Sequence, residues 1–519
     1  MASQLASVCA ALGECPVVRY SGTSTKCATL ARLAQDRIDV LKEFEPAMQQ
    51  ADRKKKSQLL ILDRNVDLQS PLVHELTYQA AAYDMCPIKD DVYEYEFEDG
   101  QGKTKKKQVQ LGLDDELWDE FRHAHISTVF KSTSLALISF GGLPCARCAV
   151  LLARAHLLPV FGSTFLLPFA LTIVSICPSG ISEKFKEFSD ANADKAGSTG
   201  GAFGTKELKA LMKDLPQHQE KMAQFGLHLN LSERIMRGFT EDVEKCTRAE
   251  QNMTMQEDET GKKIKDYIGE VSTVITENVG DKAKIRALGC AVIAAGGLDS
   301  NDLVRLMDLA PVPVDKRKAL YNLKHFGVAV EKDKKVKKSK PYKRRPRETV
   351  FNLSRWTPVV KDLSEDAIQG KLDPADYPAV KGMPQAMVET SGDDDGEKVV
   401  SARKNRGGWA HKKPAGGKKG DDAASADAGS DRNRLIIFIP GAIGYNEIRT
   451  AYELSDQYGI DVVIGSHVIM TPAQFVDTLE TLDAPLAGTS AAAMPAPATA
   501  KGGLTLVKGS TMPYTEASF

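Results

Sequence analysis

The sequence predicts an α/β protein with a large mostly-α part: a parallel-sheet α/β domain split by a long helical insertion. Two observations carry this. The first is a pair of strand–turn–helix units far apart in the chain, LLILDRNVDLQSPLVHELTYQAAAYDM at 59–85 and RLIIFIPGAIGYNEIRTAYEL at 434–454. Their strands are apolar on both faces, as strands in a parallel sheet covered by helices are. The second is the stretch from Ile181 to Gly327, which reads as helix after helix. If both units share one sheet, everything between them is an insertion.

Taken in order, Met1–Val18 reads as a helix, with Leu5, Val8, Cys9 and Leu12 inward. Leu59–Leu62 is a strand. Ser70 then caps a helix with Pro71 at its first position and Leu72, Val73, Leu76, Ala80 and Tyr83 on the apolar face. Asp114–His125 is a short helix with carboxylates at its N-terminus, where the dipole favours them. Further helices span Lys282–Ala295 and Ser300–Leu309. Leu435–Ile439 is the second strand, Gly441–Tyr445 a turn, and Asn446 caps a helix carrying Ile448, Tyr452 and Leu454.

Composition excludes several classes. With 68 basic and 69 acidic residues the net charge is −1, which gives no general pull toward nucleic acid or a membrane surface. Nine cysteines without a repeating pattern suit a reducing cytosol better than a disulfide scaffold. No basic region followed by an apolar core opens the chain, so no signal peptide is read. Lys131–Gly180 differs from its surroundings: it has no acidic residue, and Leu157–Gly180 is uncharged. That run is long enough to span a bilayer, but Pro159, Gly162 and Pro168 interrupt it, so a loosely packed insert is expected. Gly382–Asp431 reads as disordered and Ala484–Phe519 as a tail with little to bury.

Motifs that resemble chemistry fall short of it. Cys145-Ala-Arg-Cys148 has no second ligand pair nearby. His74-Glu75-Leu76-Thr77-Tyr78 begins like HExxH but ends in Tyr, and His123 and His125 point to different sides of a helix. Gly197–Lys206 has its lysine in the wrong place for a phosphate loop, and Gly441-Ala-Ile-Gly444 lacks a third glycine. Asp63, Arg64 and Asp67 follow a strand end, where open α/β sheets bind ligands. An enzyme, a hydrolase or nucleotide-dependent transferase, would be built there. This is the alternative reading; no metal, cofactor or catalytic residue is assigned. The basic stretch Lys332–Arg347 is read as a solvated or weakly lipid-touching loop.

The words VRYSG, LLILDR, HELTYQAAAYD, ELWDEFRHAHI, LPQHQEKM, HLNLSER, LSRWTPVVKD, KLDPADYP and FIPGAIGYNEIRTAYE together resemble the Sec1/Munc18 family of SNARE regulators, in its exocytic plasma-membrane branch. The resemblance implies an arch of three domains, the first without a counterpart here. Residues 1–130 with 434–482 are then the split α/β domain (domain 2) and 131–180 an atypical hydrophobic insert. Residues 181–330 form a helical domain with a hairpin (3a), and 331–381 the rest of the third domain (3b). Residues 382–431 are a linker and 484–519 a low-complexity tail. It implies binding of syntaxin-type SNAREs and SNARE bundles in vesicle docking and exocytosis, including neurotransmitter secretion. The protein would be cytoplasmic and peripheral at the plasma membrane or at docking sites, a monomer or in a 1:1 SNARE complex, with no nucleic acid bound. The hairpin Lys282–Phe326 is the expected contact, offering Lys282, Lys284 and Arg286 to acidic helix faces, with Asn322 and His325 further along. Pro313 is the expected position for the proline that governs hairpin extension.

Overall fold

The computed structural model describes residues 1–54, 56–98, 104–112, 114–130, 224–277, 279–332, 342–347, 351–388, 432–482 and 505–509. The expectations for 131–180, including Cys145 and Cys148, for Gly197–Lys206, for most of the basic stretch and for 389–431 lie outside these residues. The chain divides into two compact units, 1–73 with 247–519, and 74–246.

The first unit is built on a five-stranded sheet. Its strands are β1 (Val17–Tyr20), β2 (Gln58–Ile61), β6 (Arg434–Phe438), β7 (Asp461–Ser466) and β8 (Thr505–Gly509), adjacent in that order. The first four run parallel, and β8 closes the far edge antiparallel to β7. Gln58 pairs with Leu435 and Ile61 with Phe438, so the two distant strand units are direct neighbours. Every residue of β2, β6 and β7 is buried. Alternate side chains Leu59 and Ile61, with Ile436 and Phe438, join Val18 in a core against the helices Ala2–Ala11 and Thr25–Phe44. Fully burying a side chain of this size stabilises by about 1.5–3 kcal/mol. The long helix starts at Ser24, whose hydroxyl accepts from the Cys27 amide, and buries Cys27, Leu30, Ala31, Ala34 and Ile38. The β1 edge is not left open: Tyr20 donates to Pro378 O, Val380 donates to Val18 O, and buried Arg19 reaches Leu372 O and Tyr377 O.

The second unit holds an antiparallel sheet of β3 (Ile88–Lys89), β4 (Val92–Glu98) and β5 (Thr104–Gln110). With it go the helices Tyr78–Met85 and Glu116–Phe121 and a helix over 224–238. Buried Tyr78 lies edge-on to Trp118 at 5.3 Å. Its hydroxyl meets His228 Nδ1 at 2.8 Å, and His228 Nε2 meets Asp115 Oδ2 at 3.0 Å. Asp115 also caps its helix by accepting from Leu117 N and Trp118 N. Burial pushes this carboxyl up, but the His228 contact and the helix amides outweigh it and hold it below the usual range.

Several expectations shift. The first helix stops at Ala11, because Gly13 at φ 63° turns the chain into β1. The helix expected from Ser70 begins at Tyr78, and residues 70–73 form only a turn. The Asp114–His125 helix closes at Phe121, because residues 122–126 fold back to pair with 76–79: Tyr78 N donates to Ala124 O and Ile126 N to Leu76 O. Part of the tail, Thr505–Gly509, is strand β8. The compact units also cut the domain plan differently. Residues 74–130 group with 224–246, while 351–388 group with the sheet through bonds such as those of Arg19.

Candidate partner-binding surface

The strand-end cluster shows what Asp63, Arg64 and Asp67 do. Asp63 accepts from Ser24 Oγ at 2.5 Å and caps the 3-10 turn Arg64–Val66 through Asn65 N. Buried Arg64 grips Glu447 with two bonds of 2.8 and 2.7 Å and also reaches Ala442 O. Burial pushes its guanidinium down, but the Glu447 charge more than offsets this and leaves it above its ordinary value. Asp67 accepts from Gln69 N, Ser70 N, Ser70 Oγ and Val359 N. Trp356 Nε1 donates to Ser70 Oγ at 2.9 Å, and the Arg344 guanidinium lies 4.3 Å from the Trp356 ring centre. These groups join the SRWTP segment to the strand end and are committed to that task.

A ligand site would also need a crevice. In doubly wound sheets it opens where strand order reverses. The described parallel strands run β1-β2-β6-β7 without reversal. At the helix Tyr445–Tyr458 the Glu447 carboxylate accepts from Gly444 N, taking an amide that a phosphate would otherwise use. Among the described residues no group of His, Cys, Asp and Glu is arranged to hold a metal ion.

The basic residues at 344–347 are likewise occupied. Arg344 pairs with Asp362, Arg345 with Glu365 and Asp366, and Arg347 with Asp362 and Glu365 on the helix Val359–Ile368. This part of the stretch is an ion-pair network rather than a solvated loop.

The hairpin residues separate into two groups. Its helices are Asp281–Ala295 and Ser300–Leu309, joined by a turn through Gly296 and Gly297, both with positive φ. Lys282 is exposed and pairs with Asp477 at 2.6 Å. His325 and Pro313 are also exposed. Lys284 and Arg286 are buried, at 4% and 3% exposure. Arg286 Nε donates to Leu72 O at 2.6 Å, so neither residue is offered to a partner as expected. Asn322 is fully buried and donates to Leu479 O at 2.8 Å, so it too is part of the packing. Pro313 lies in the separate connection between Leu309 and Lys318, not at the hairpin turn.

The second unit contains a cleft of ≈ 660 Å³ that the sequence reading missed. One wall is the helix stripe Asn230, Glu233, Arg234 and Arg237, and Lys89 and Glu94 stand on the other. Positions i, i+3, i+4 and i+7 share one helix face, so the polar stripe in HLNLSERIMR was the available signal.

Comparison with known proteins places this geometry. The Sec1 family model matches residues 1–140 and 176–478, leaving 141–175, most of the compositionally distinct insert, unmatched. A protein transport protein sec1 of Dictyostelium discoideum is 30% identical over 93% of this chain and 71% of its own length. The SNARE-interacting protein KEULE of Arabidopsis thaliana is 25% identical over 93% of this chain and 70% of its own. The crystal structure of the Unc18–syntaxin 1 complex from Monosiga brevicollis matches with a TM-score of 0.68 and 35% identity, covering 92% of this chain and 70% of that one. The chain therefore belongs to the Sec1 family.

Proposed function

We propose that this protein binds syntaxin-type SNAREs and SNARE bundles, and through them regulates vesicle docking and membrane fusion in exocytosis. The observation that carries the reading is the match to the Unc18 chain of an Unc18–syntaxin 1 complex, at 35% identity over 92% of this chain. The residues fit the task. A SNARE is a long amphipathic rod, which calls for an extended surface of mixed charge rather than a reactive pocket. The partly exposed Lys282 and the exposed His325 offer one such surface, and the Arg234–Arg237 stripe another. The reading involves no catalysis. Among the described residues no helix is long and apolar enough to cross a membrane, and membrane contact in this reading is peripheral and made through the SNARE.

Titration calorimetry of the full chain with a syntaxin cytoplasmic fragment tests it. Saturable binding that weakens with Lys282→Glu or Arg234→Glu supports the reading. A folded chain that releases no heat with syntaxin or with an assembled bundle overturns it.

A further inference from the structure

In the second unit β3 is only two residues long, and this leaves part of β4 with a free edge. Asp90 and Asp91, both at positive φ, form a tight turn that pairs Lys89 with Val92 and Ile88 with Tyr93. Before Ile88 stands Pro87, which has no N–H to offer the next position of β4. Leu111 N donates to Asp91 O at 2.7 Å, so Asp91 turns its backbone toward β5. Alternate residues of a strand share an edge, so Tyr93 and Tyr95 also face β5, while Glu94 and Glu96 aim their N–H and C=O groups the other way. Those groups have no backbone partner among the described residues. They border the cleft of ≈ 660 Å³, whose far wall is the helix face Asn230, Glu233, Arg234 and Arg237.

The charges of this slot are uneven. The Glu94 and Glu96 carboxylates are drawn along the sheet toward Gln108 and Lys106 of β5. Glu233 is taken by Arg237 at 3.4 Å. Exposed Arg234 and Lys89 have no carboxylate partner among the described residues. We propose that the slot docks an extended acidic peptide of a partner protein, which adds to the free edge of β4 as a strand and sets its carboxylates against Arg234 and Lys89. Main-chain bonds to a strand edge supply affinity in such docking, and the side chains beside it select the sequence. From Glu94 to the end of β4 the edge runs about 16 Å, enough for about five extended residues. A SNARE helix satisfies its backbone internally and cannot pair with this edge, so the occupant is a different segment from the rod proposed above.

Fluorescence polarisation of the full chain with a labelled, capped peptide of alternating Glu and Val, about eight residues long, is the test. No SNARE is present, so the outcome is independent of the syntaxin reading. The expected result is saturable binding, weakened about tenfold by Arg234→Glu and by Glu96→Pro. Proline at position 96 removes the N–H aimed into the slot and spares the β5 ladder, as proline on a strand edge does. Thermal melting of each variant reports that the fold is intact. The same peptide N-methylated throughout keeps its charge but loses its backbone donors, and it should not bind; this arm needs no protein variant. A Lys–Val peptide should not bind either. A Glu–Val peptide that fails to bind overturns the proposal. Equal binding of the N-methylated peptide overturns strand addition, and equal binding of the Lys–Val peptide overturns the acidic assignment.

Discussion

Arg64 and Glu447, 383 residues apart in the chain, meet in a buried two-pronged ion pair, with bonds of 2.8 and 2.7 Å. The pair locks the end of β2 to the first turn of the helix that follows β6, and so holds together the two halves of a sheet divided by the insertion. Removing one partner leaves the other charged and buried, which typically costs about 3–5 kcal/mol. Glu447→Ala is therefore expected to unfold at markedly lower urea, whereas exchanging both residues for apolar ones of similar volume costs less. Equilibrium denaturation of the two variants checks this; equal loss in both would mean that packing, not charge, dominates the site.

Asp67 provides the companion case. Its two oxygens accept four bonds, from Gln69 N, Ser70 N, Ser70 Oγ and Val359 N. Asp67→Ala leaves buried amides without acceptors and is expected to destabilise by about 2–4 kcal/mol. The fluorescence of Trp356, tied to Ser70 in the same network, should report the loosening. Unchanged stability would remove the structural role assigned to this carboxylate.

What could be read from the sequence follows from which forces were local. The apolar runs of β2 and β6 sit in a few consecutive residues, and both strands appear within one residue of their expected bounds. The Ser70 helix was lost to a distant partner: Asp67 takes the amides of Gln69 and Ser70, and Trp356 takes the Ser70 hydroxyl. The helix Asp281–Ala295 is buried over nine consecutive residues, Lys284 to Val292. A helix covered on all sides has no polar stripe, so its pattern could not tell a surface lysine from a buried one. Strand β8 is a short run paired antiparallel with β7, which no local window contains. The cleft joins β4 to a helix more than a hundred residues later, so no local window contains both of its walls.

Glu453 gives the pH dependence a direction. Burial pushes its carboxyl up, but Arg449 at 2.7 Å and Lys361 at 2.5 Å outweigh burial and bring it down to about 2. A carboxyl with a depressed folded value stabilises above its unfolded value near 4.5 and loses that contribution as pH falls toward 2. The side chain is 33% exposed, so solvent screening leaves about 1–2 kcal/mol of the nominal effect. Stability should decline between about pH 5 and 2, and Glu453→Gln should make that decline shallower. A parent and variant with parallel pH profiles would exclude Glu453 from the acid response.

Lys282 and Arg286 should behave oppositely. The Lys282–Asp477 pair is exposed on both sides, at 42% and 52%, and such pairs contribute at most about 1 kcal/mol. Lys282→Ala is expected to leave the melting temperature nearly unchanged while weakening SNARE binding. Arg286→Ala strips a buried donor from Leu72 O and should destabilise by about 2–4 kcal/mol, with binding lost only in proportion to unfolding. Melting and calorimetry on the same preparations separate the two; a folded Arg286→Ala chain with specifically impaired binding would return that residue to the surface role first expected of it.

Pro313 tests the hairpin switch. Proline opposes helix continuation by lacking a donor and clashing with the preceding turn, so its removal should in principle let the Ser300–Leu309 helix extend. The structure opposes that. Ala310 already leaves the helix in an extended conformation, and the Val312 side chain is buried at 3% exposure, with its amide bonded to Ala310 O. Extension would pull Val312 into water at a cost of about 1.5–3 kcal/mol, comparable to what proline removal releases. Pro311 also remains. Pro313→Ala alone is therefore expected to change neither helix content by far-ultraviolet circular dichroism nor retention of a vesicle SNARE. Pro313→Ala combined with Val312→Ser, which removes the anchor, should raise helix content. If the single variant gained helix and SNARE retention together, the connection would be the conformational switch and the Val312 anchor would be negligible.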